Sequence, residues 1–205
     1  MKRMIFLLLC LLPFFLVLLL PAKSEPTLLI IGDSLSYAYG IRSQDSWVSL
    51  LQERLKKNNY HYQVVNYSIP GDVTENGLKR LQWALDEYKP KITVIEMGAN
   101  DGLQHVPIKT IQANLLKMII LAKQHKSKVL LLGMRLPVEY PSSYRAAFAN
   151  LYPVLANQQN IALVPVFLKH VDSNAYLMQD DKLHPKKEGQ AILLETVWSQ
   201  LKKLL

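Results

Sequence analysis

The chain has 205 residues, enough for one α/β domain with a sizeable core, and carries 24 Lys and Arg against 16 Asp and Glu, a formal net charge of +8. The basic residues fall in scattered pairs (Lys56-Lys57, Lys186-Lys187, Lys202-Lys203) with no run interleaved with aromatics, which argues against nucleic acid as a partner. The single cysteine, Cys10, lies inside an apolar N-terminal run, so the remainder of the chain has no disulfide, no thiolate metal site and no cysteine nucleophile.

That N-terminal run has the form of a targeting segment. Met1-Lys2-Arg3 supplies a positive start, Met4 to Leu20 is apolar throughout, and Ala22 and Ser24 form a small-residue cleavage site. Residues 1–24 are therefore expected to be a signal peptide and residues 25–205 one catalytic domain, exported to the periplasm or secreted. A retained anchor is the rival reading, because the apolar run approaches the length that spans a bilayer. The cleavage site directly after the run, and the lack of a second such run, favour removal.

Beyond it, short β-rich runs alternate with longer amphipathic stretches. Strands are expected at Thr27 to Ile31, Tyr62 to Asn66, Ile92 to Met97, Val129 to Leu132 and Ala162 to Val166. Helices are expected at Ser46 to Asn58, Thr74 to Tyr88 with Thr74 as N-cap, Pro107 to His125, Ser142 to Gln158, and Pro185 to Leu204. Such alternation implies a parallel sheet joined by right-handed crossovers and covered on both faces. The runs Leu28-Leu29-Ile30-Ile31 and Val129-Leu130-Leu131-Leu132 suit strands buried on both sides.

In an open parallel sheet, ligands collect beyond the carboxyl ends of the strands. The segments with chemical potential lie there. Gly32-Asp33-Ser34 follows the first strand, Pro70-Gly71-Asp72 the second, Gly98-Ala99-Asn100-Asp101 the third, and Asp181-Lys182-Leu183-His184 precedes the last helix. Ser34 is a candidate nucleophile and His184 a candidate base. Asp181, three residues before His184, is close enough for one turn to bring its carboxylate to the imidazole. Asn100 could supply a side-chain N–H to a developing oxyanion, and Ser34 and Gly71 backbone N–H groups. Asp33 and Asp101 are expected to shape their loops. His61, His105, His125 and His170 have no comparable local partner. The pattern around Ser34 is not the G-x-S-x-G elbow, and no pair of His or Cys has metal-ligand spacing, so neither metal nor cofactor is called for. Taken singly, each of these segments is an ordinary turn composition.

Taken together, Gly32-Asp33-Ser34-Leu35, Gly71, Gly98-Ala99-Asn100-Asp101 and Asp181-Lys182-Leu183-His184 resemble, in order and spacing, the sequence blocks of the SGNH, or GDSL, hydrolases. Met134-Arg135-Leu136-Pro137, the Tyr140 to Tyr144 region and Met178-Gln179-Asp180-Asp181 are similar to segments of the thioesterase I/lysophospholipase/arylesterase subgroup. The resemblance implies a flavodoxin-like three-layer αβα fold with a five-stranded parallel sheet. It implies a Ser34–His184–Asp181 triad, and an oxyanion hole from Ser34 N–H, Gly71 N–H and Asn100 Nδ2. One departure is Pro70, where the family often has Ser. Proline leaves the Gly71 donor in place and stiffens the loop.

Leu103, Val106, Pro107 and Ile108 follow the Asn100 segment, and Leu136, Pro137, Tyr140 and Tyr144 follow the fourth strand. They are candidates for an acyl groove. The expected substrates are acyl esters, thioesters or lysophospholipids, with transient contact at a membrane surface and a monomeric enzyme. The alternatives are an esterase acting on acetylated carbohydrate and an exported lipid-binding protein without activity.

Overall fold

The computed structural model describes residues 25–205. The expected signal segment lies outside the described residues, among which no helix is long and apolar enough to cross a membrane.

Five strands form one parallel sheet: β1 (Thr27–Gly32), β2 (Gln63–Asn66), β3 (Ile92–Glu96), β4 (Lys128–Leu132) and β5 (Ala162–Val164). Their order is β2-β1-β3-β4-β5, the flavodoxin-like arrangement in which the strand order reverses between β1 and β3. Among the described residues, six α-helices connect the strands and a seventh follows the last: α1 (Ser34–Tyr37), α2 (Trp47–Lys57), α3 (Thr74–Tyr88), α4 (Ala99–Leu103), α5 (Ile108–Gln124), α6 (Ser142–Gln159) and α7 (Lys187–Leu201). Helices α3, α5 and α6 pack together against one face of the sheet, and α2 with α7 against the other. Leu28 to Ile31 of β1 are fully buried and β3 is buried along its whole length, as continuous apolar runs require of central parallel strands. Edge strand β2 is only half-buried. Its Val64 N–H is taken by the side chain of Gln52, which also donates to Tyr62 C=O, so α2 covers part of the open edge.

The structure corrects several expected boundaries. Thr74 is not the N-cap of α3 but its first residue; the terminus is capped from another element, by the Asp101 carboxylate, which accepts from Thr74 N (2.8 Å) and Thr74 Oγ (2.5 Å). Strand β5 stops at Val164 because Pro165 brings no N–H to extend the ladder. Helix α7 starts at Lys187, since Pro185 pairs with Met178 in an antiparallel bridge and Lys186 N–H donates to Leu177 C=O. Two short helices, α1 and α4, stand where the sequence suggests turns, and each carries a site residue.

Candidate active site

The crevice lies at the carboxyl ends of β1, β2 and β3, next to the strand-order reversal. Ser34 is the first residue of α1, directly after the β1 turn. Asp33 caps that helix by accepting Leu35 N–H at 3.0 Å. As the first helical residue, Ser34 has a backbone N–H with no acceptor within the helix. The side chain is half-buried.

His184 reaches Ser34 from a loop 150 residues away. A narrow hairpin sets its position: Gln179 N–H donates to His184 C=O (2.7 Å) and Lys186 N–H to Leu177 C=O (2.7 Å). At its tip, Lys182 adopts φ +58° and the chain turns back on Asp181. One Asp181 oxygen accepts the N–H groups of Leu183 (2.9 Å) and His184 (3.0 Å), and the other meets His184 Nδ1 at 2.6 Å. Partial burial raises the Asp181 carboxyl, but these hydrogen bonds from His184 and Leu183 outweigh it and hold the group below its ordinary range. With Nδ1–H committed to Asp181, Nε2 is the free acceptor, and it lies 2.9 Å from Ser34 Oγ. The three residues thus form one continuous hydrogen-bonded line.

Two further contacts join the hairpin to the Ser34 segment. The Tyr39 ring lies against the imidazole of His184, with centroids 4.5 Å apart. Gln179 Nε2 donates to Tyr39 C=O (2.8 Å) and Pro185 C=O (3.2 Å), bridging the two loops. Gln179 appears in the sequence only as part of a family-like segment, and Tyr39 gives no signal there, since the contact between them spans 140 residues.

Gly71 lies in a tight turn closed by Asp72 N–H to Ile69 C=O (3.2 Å), with Pro70 at the second position and Gly71 at the third with φ +76°. This is the type II geometry, which favours proline and glycine at those positions, so Pro70 fits the loop without distortion. Asn100 sits in the first turn of α4. Its Nδ2 donates to Asp33 Oδ2 (3.1 Å) and Asp72 C=O (3.0 Å), so both N–H bonds have acceptors, and an oxyanion would draw one of them away. Arg80 ties the strand ends beneath: Nη2 donates to Gly32 C=O (2.8 Å), Nη1 to Tyr67 C=O, and Nε to the buried Asp72 carboxylate (2.7 Å).

The expected groove residues lie together on the β3–β4 side. Tyr140 OH donates to Leu103 C=O (2.9 Å) and Tyr144 OH to Val106 C=O (2.8 Å), latching the two loops to each other. Leu136 is buried under α4 against Gly102, whereas Leu103, Val106, Ile108, Pro137 and Tyr140 remain partly accessible. The His105 ring lies near those of Tyr140 and Tyr144, tilted to both, with centroids 4.9 and 5.6 Å away. Two clefts, of about 430 and 510 Å³, are lined by other residues, the larger by Tyr39, Gly40, Ile41, Gln179, Asp180, Asp181 and Lys186. His125 does have a carboxylate partner, Asp86 at 3.0 Å, 39 residues away. Its other ring nitrogen bonds Leu121 C=O at the end of α5, so the pair serves as a helix terminus.

Residues 30–192 match the GDSL-like Lipase/Acylhydrolase family. The chain is 46% identical over 190 residues to "Esterase TesA" of Pseudomonas aeruginosa, covering 93% of this chain and 94% of that one. It is 34% identical over 196 residues to "Thioesterase 1/protease 1/lysophospholipase L1" of Escherichia coli, covering 95% and 93%. A crystal structure of TesA superposes with a TM-score of 0.86 at 46% identity, over 87% of this chain and 99% of that one. Fold, site geometry and sequence agree: the chain belongs to the GDSL-like lipase/acylhydrolase family.

Proposed function

We propose that this protein hydrolyses acyl esters and thioesters through a covalent acyl-enzyme formed on Ser34. The observation that carries this reading is the line Asp181–His184–Ser34, with contacts of 2.6 and 2.9 Å. Membership of a lipase/acylhydrolase family and similarity to relatives named esterase and thioesterase support the substrate class.

His184 Nε2 takes the Ser34 proton as Oγ attacks the acyl carbonyl, and Asp181 stabilises the imidazolium that forms. The carbonyl oxygen gathers negative charge and is met by Ser34 N–H, Gly71 N–H and Asn100 Nδ2. Collapse of the tetrahedral species breaks the bond to the alcohol or thiol, which leaves with the proton from His184. Water, deprotonated by the same imidazole, then attacks the acyl-enzyme; the carboxylic acid departs and Ser34 regains its proton. Leu103, Val106, Ile108, Leu136, Pro137 and Tyr140 form the apolar side that receives the acyl chain, Leu136 from beneath. Each CH₂ buried there is worth about 0.8 kcal/mol, so kcat/KM rises with acyl length until the surface is covered. Lysophospholipids, presented at a membrane surface, fall within this class.

The enzyme acts as an exported monomer, with residues 1–24 removed; N-terminal sequencing of the protein recovered from outside the cytoplasm should begin at Glu25. A fluorophosphonate probe should label Ser34, and a folded Ser34→Ala protein should neither be labelled nor turn over p-nitrophenyl acyl esters. Undiminished turnover by that variant overturns the assignment. A chain-length series separates this reading from a carbohydrate deacetylase, which loses activity beyond acetate.

A further inference from the structure

Glu96 ends β3 with its side chain fully buried, and acyl transfer as described makes no use of it. The parallel register sets it beside Gly32, the residue leading into the nucleophile turn. Its Oε2 accepts Asp33 N–H (3.2 Å) and Ser36 O–H (2.7 Å), that is, the residue before Ser34 and the residue two after it. A Cβ on Gly32 would stand 2.7 Å from this oxygen, so glycine at that position is what admits the carboxyl.

Asp33 completes the arrangement. Its Oδ1 accepts Leu35 N–H and its Oδ2 accepts Asn100 Nδ2, so both oxygens face donors. Glu96 Oε1 is buried with no donor facing it. Two adjacent buried carboxyls cannot both ionise, and the one without donors on its second oxygen keeps the proton. Burial, with the Asp33 charge added, raises the Glu96 carboxyl well above its ordinary range. The other titratable or charged groups around the pair are Tyr152 of α6, whose buried hydroxyl donates to Met97 C=O, Asp72 and Asp101, whose charges bear on Asp33, and Arg80 of α3. Arg80 is already paired with Asp72, so it is not free to compensate a second charge on the pair.

We propose that Glu96 is a positioning residue for acyl transfer: its carboxyl pins Asp33 and Ser36 on either side of Ser34 and, by way of Asp33, aims the Asn100 amide. This rests on the assignment of Ser34 as nucleophile and Asn100 as oxyanion donor. Loss of the Glu96 proton sets two negative charges side by side under the turn, and the turn shifts.

The test compares Glu96→Gln and Glu96→Leu with the wild type, using p-nitrophenyl butyrate and thermal unfolding. Glutamine offers its amide oxygen to the same two donors and carries no charge, as the protonated acid does, so it retains kcat. The wild type should lose kcat at alkaline pH, as Glu96 gives up its proton beside Asp33, and Glu96→Gln should not. Leucine lowers kcat about 100-fold with KM unchanged, because displacement of the reacting groups is costly while the substrate is not touched. The inference is overturned if folded Glu96→Leu keeps wild-type kcat, or if Glu96→Gln loses as much as leucine or shows the wild-type alkaline limb. Should Glu96→Leu not fold, the pH profile of Glu96→Gln decides. Ser34→Ala, run in parallel with the fluorophosphonate probe, reports separately on the nucleophile.

Discussion

Asp181 shows how much one side chain organises. A single carboxylate receives the imidazole and two backbone N–H groups, so it both folds the hairpin tip and sets the tautomer of His184. Asp181→Asn leaves the shape in place but can present an N–H to Nδ1, favouring the tautomer in which Nε2 no longer accepts. We expect kcat to fall on the order of 10³–10⁴-fold with little change in unfolding temperature. Gln179 works at the same scale: Gln179→Ala severs the bridge to Tyr39 and Pro185 and should lower kcat by about tenfold, with KM held, in a steady-state assay.

At the scale of elements, the strand ends depend on groups borrowed from elsewhere. Arg80 of α3 joins the carboxyl ends of β1 and β2 to the Gly71 turn, and its partner Asp72 is almost fully buried. Arg80→Met leaves that carboxylate unpaired and should cost about 3–5 kcal/mol in urea unfolding. Arg80→Lys rescues only in part, since an ammonium lacks the planar fork that reaches three acceptors. Helix α3 is capped by Asp101 from α4, so Asp101→Ala should cost about 1–2 kcal/mol in the same measurement. It should also lower kcat, because α4 carries Asn100.

For the whole molecule, the buried carboxyls set the pH dependence of stability. Burial raises Asp33, Glu96 and Asp101 above their ordinary values, so the folded state retains protons that the unfolded chain releases. Their contribution is complete below the unfolded carboxylate range near pH 4 and is lost as pH rises through the raised values. Asp181, held low chiefly against burial by its hydrogen bonds, contributes in the opposite sense, above that range. Unfolding temperature should therefore decline from mildly acidic to alkaline pH, and Glu96→Gln should flatten the decline. A wild-type profile rising steadily across that interval would contradict it.

The sequence by itself determined the sheet, the alternation of strands and helices, and the segments that line the crevice. Those features are local: apolar runs such as Leu28 to Ile31 signal burial, and glycine, proline and Asp-x-x-His spacings signal turns whose geometry few residues satisfy. The Asp181–His184 contact was legible for the same reason, spanning three residues. Only the tertiary structure decided that Asp101 caps α3, that Gln179 bridges to the Tyr39 segment, and that Glu96 stands beneath Ser34. Each joins residues between 27 and 140 positions apart, and their pairing is set by strand register and helix packing. A glutamate ending a buried strand reads in sequence as an interruption of the apolar pattern. Its meaning comes from Gly32 across the sheet, which leaves the space its carboxyl fills.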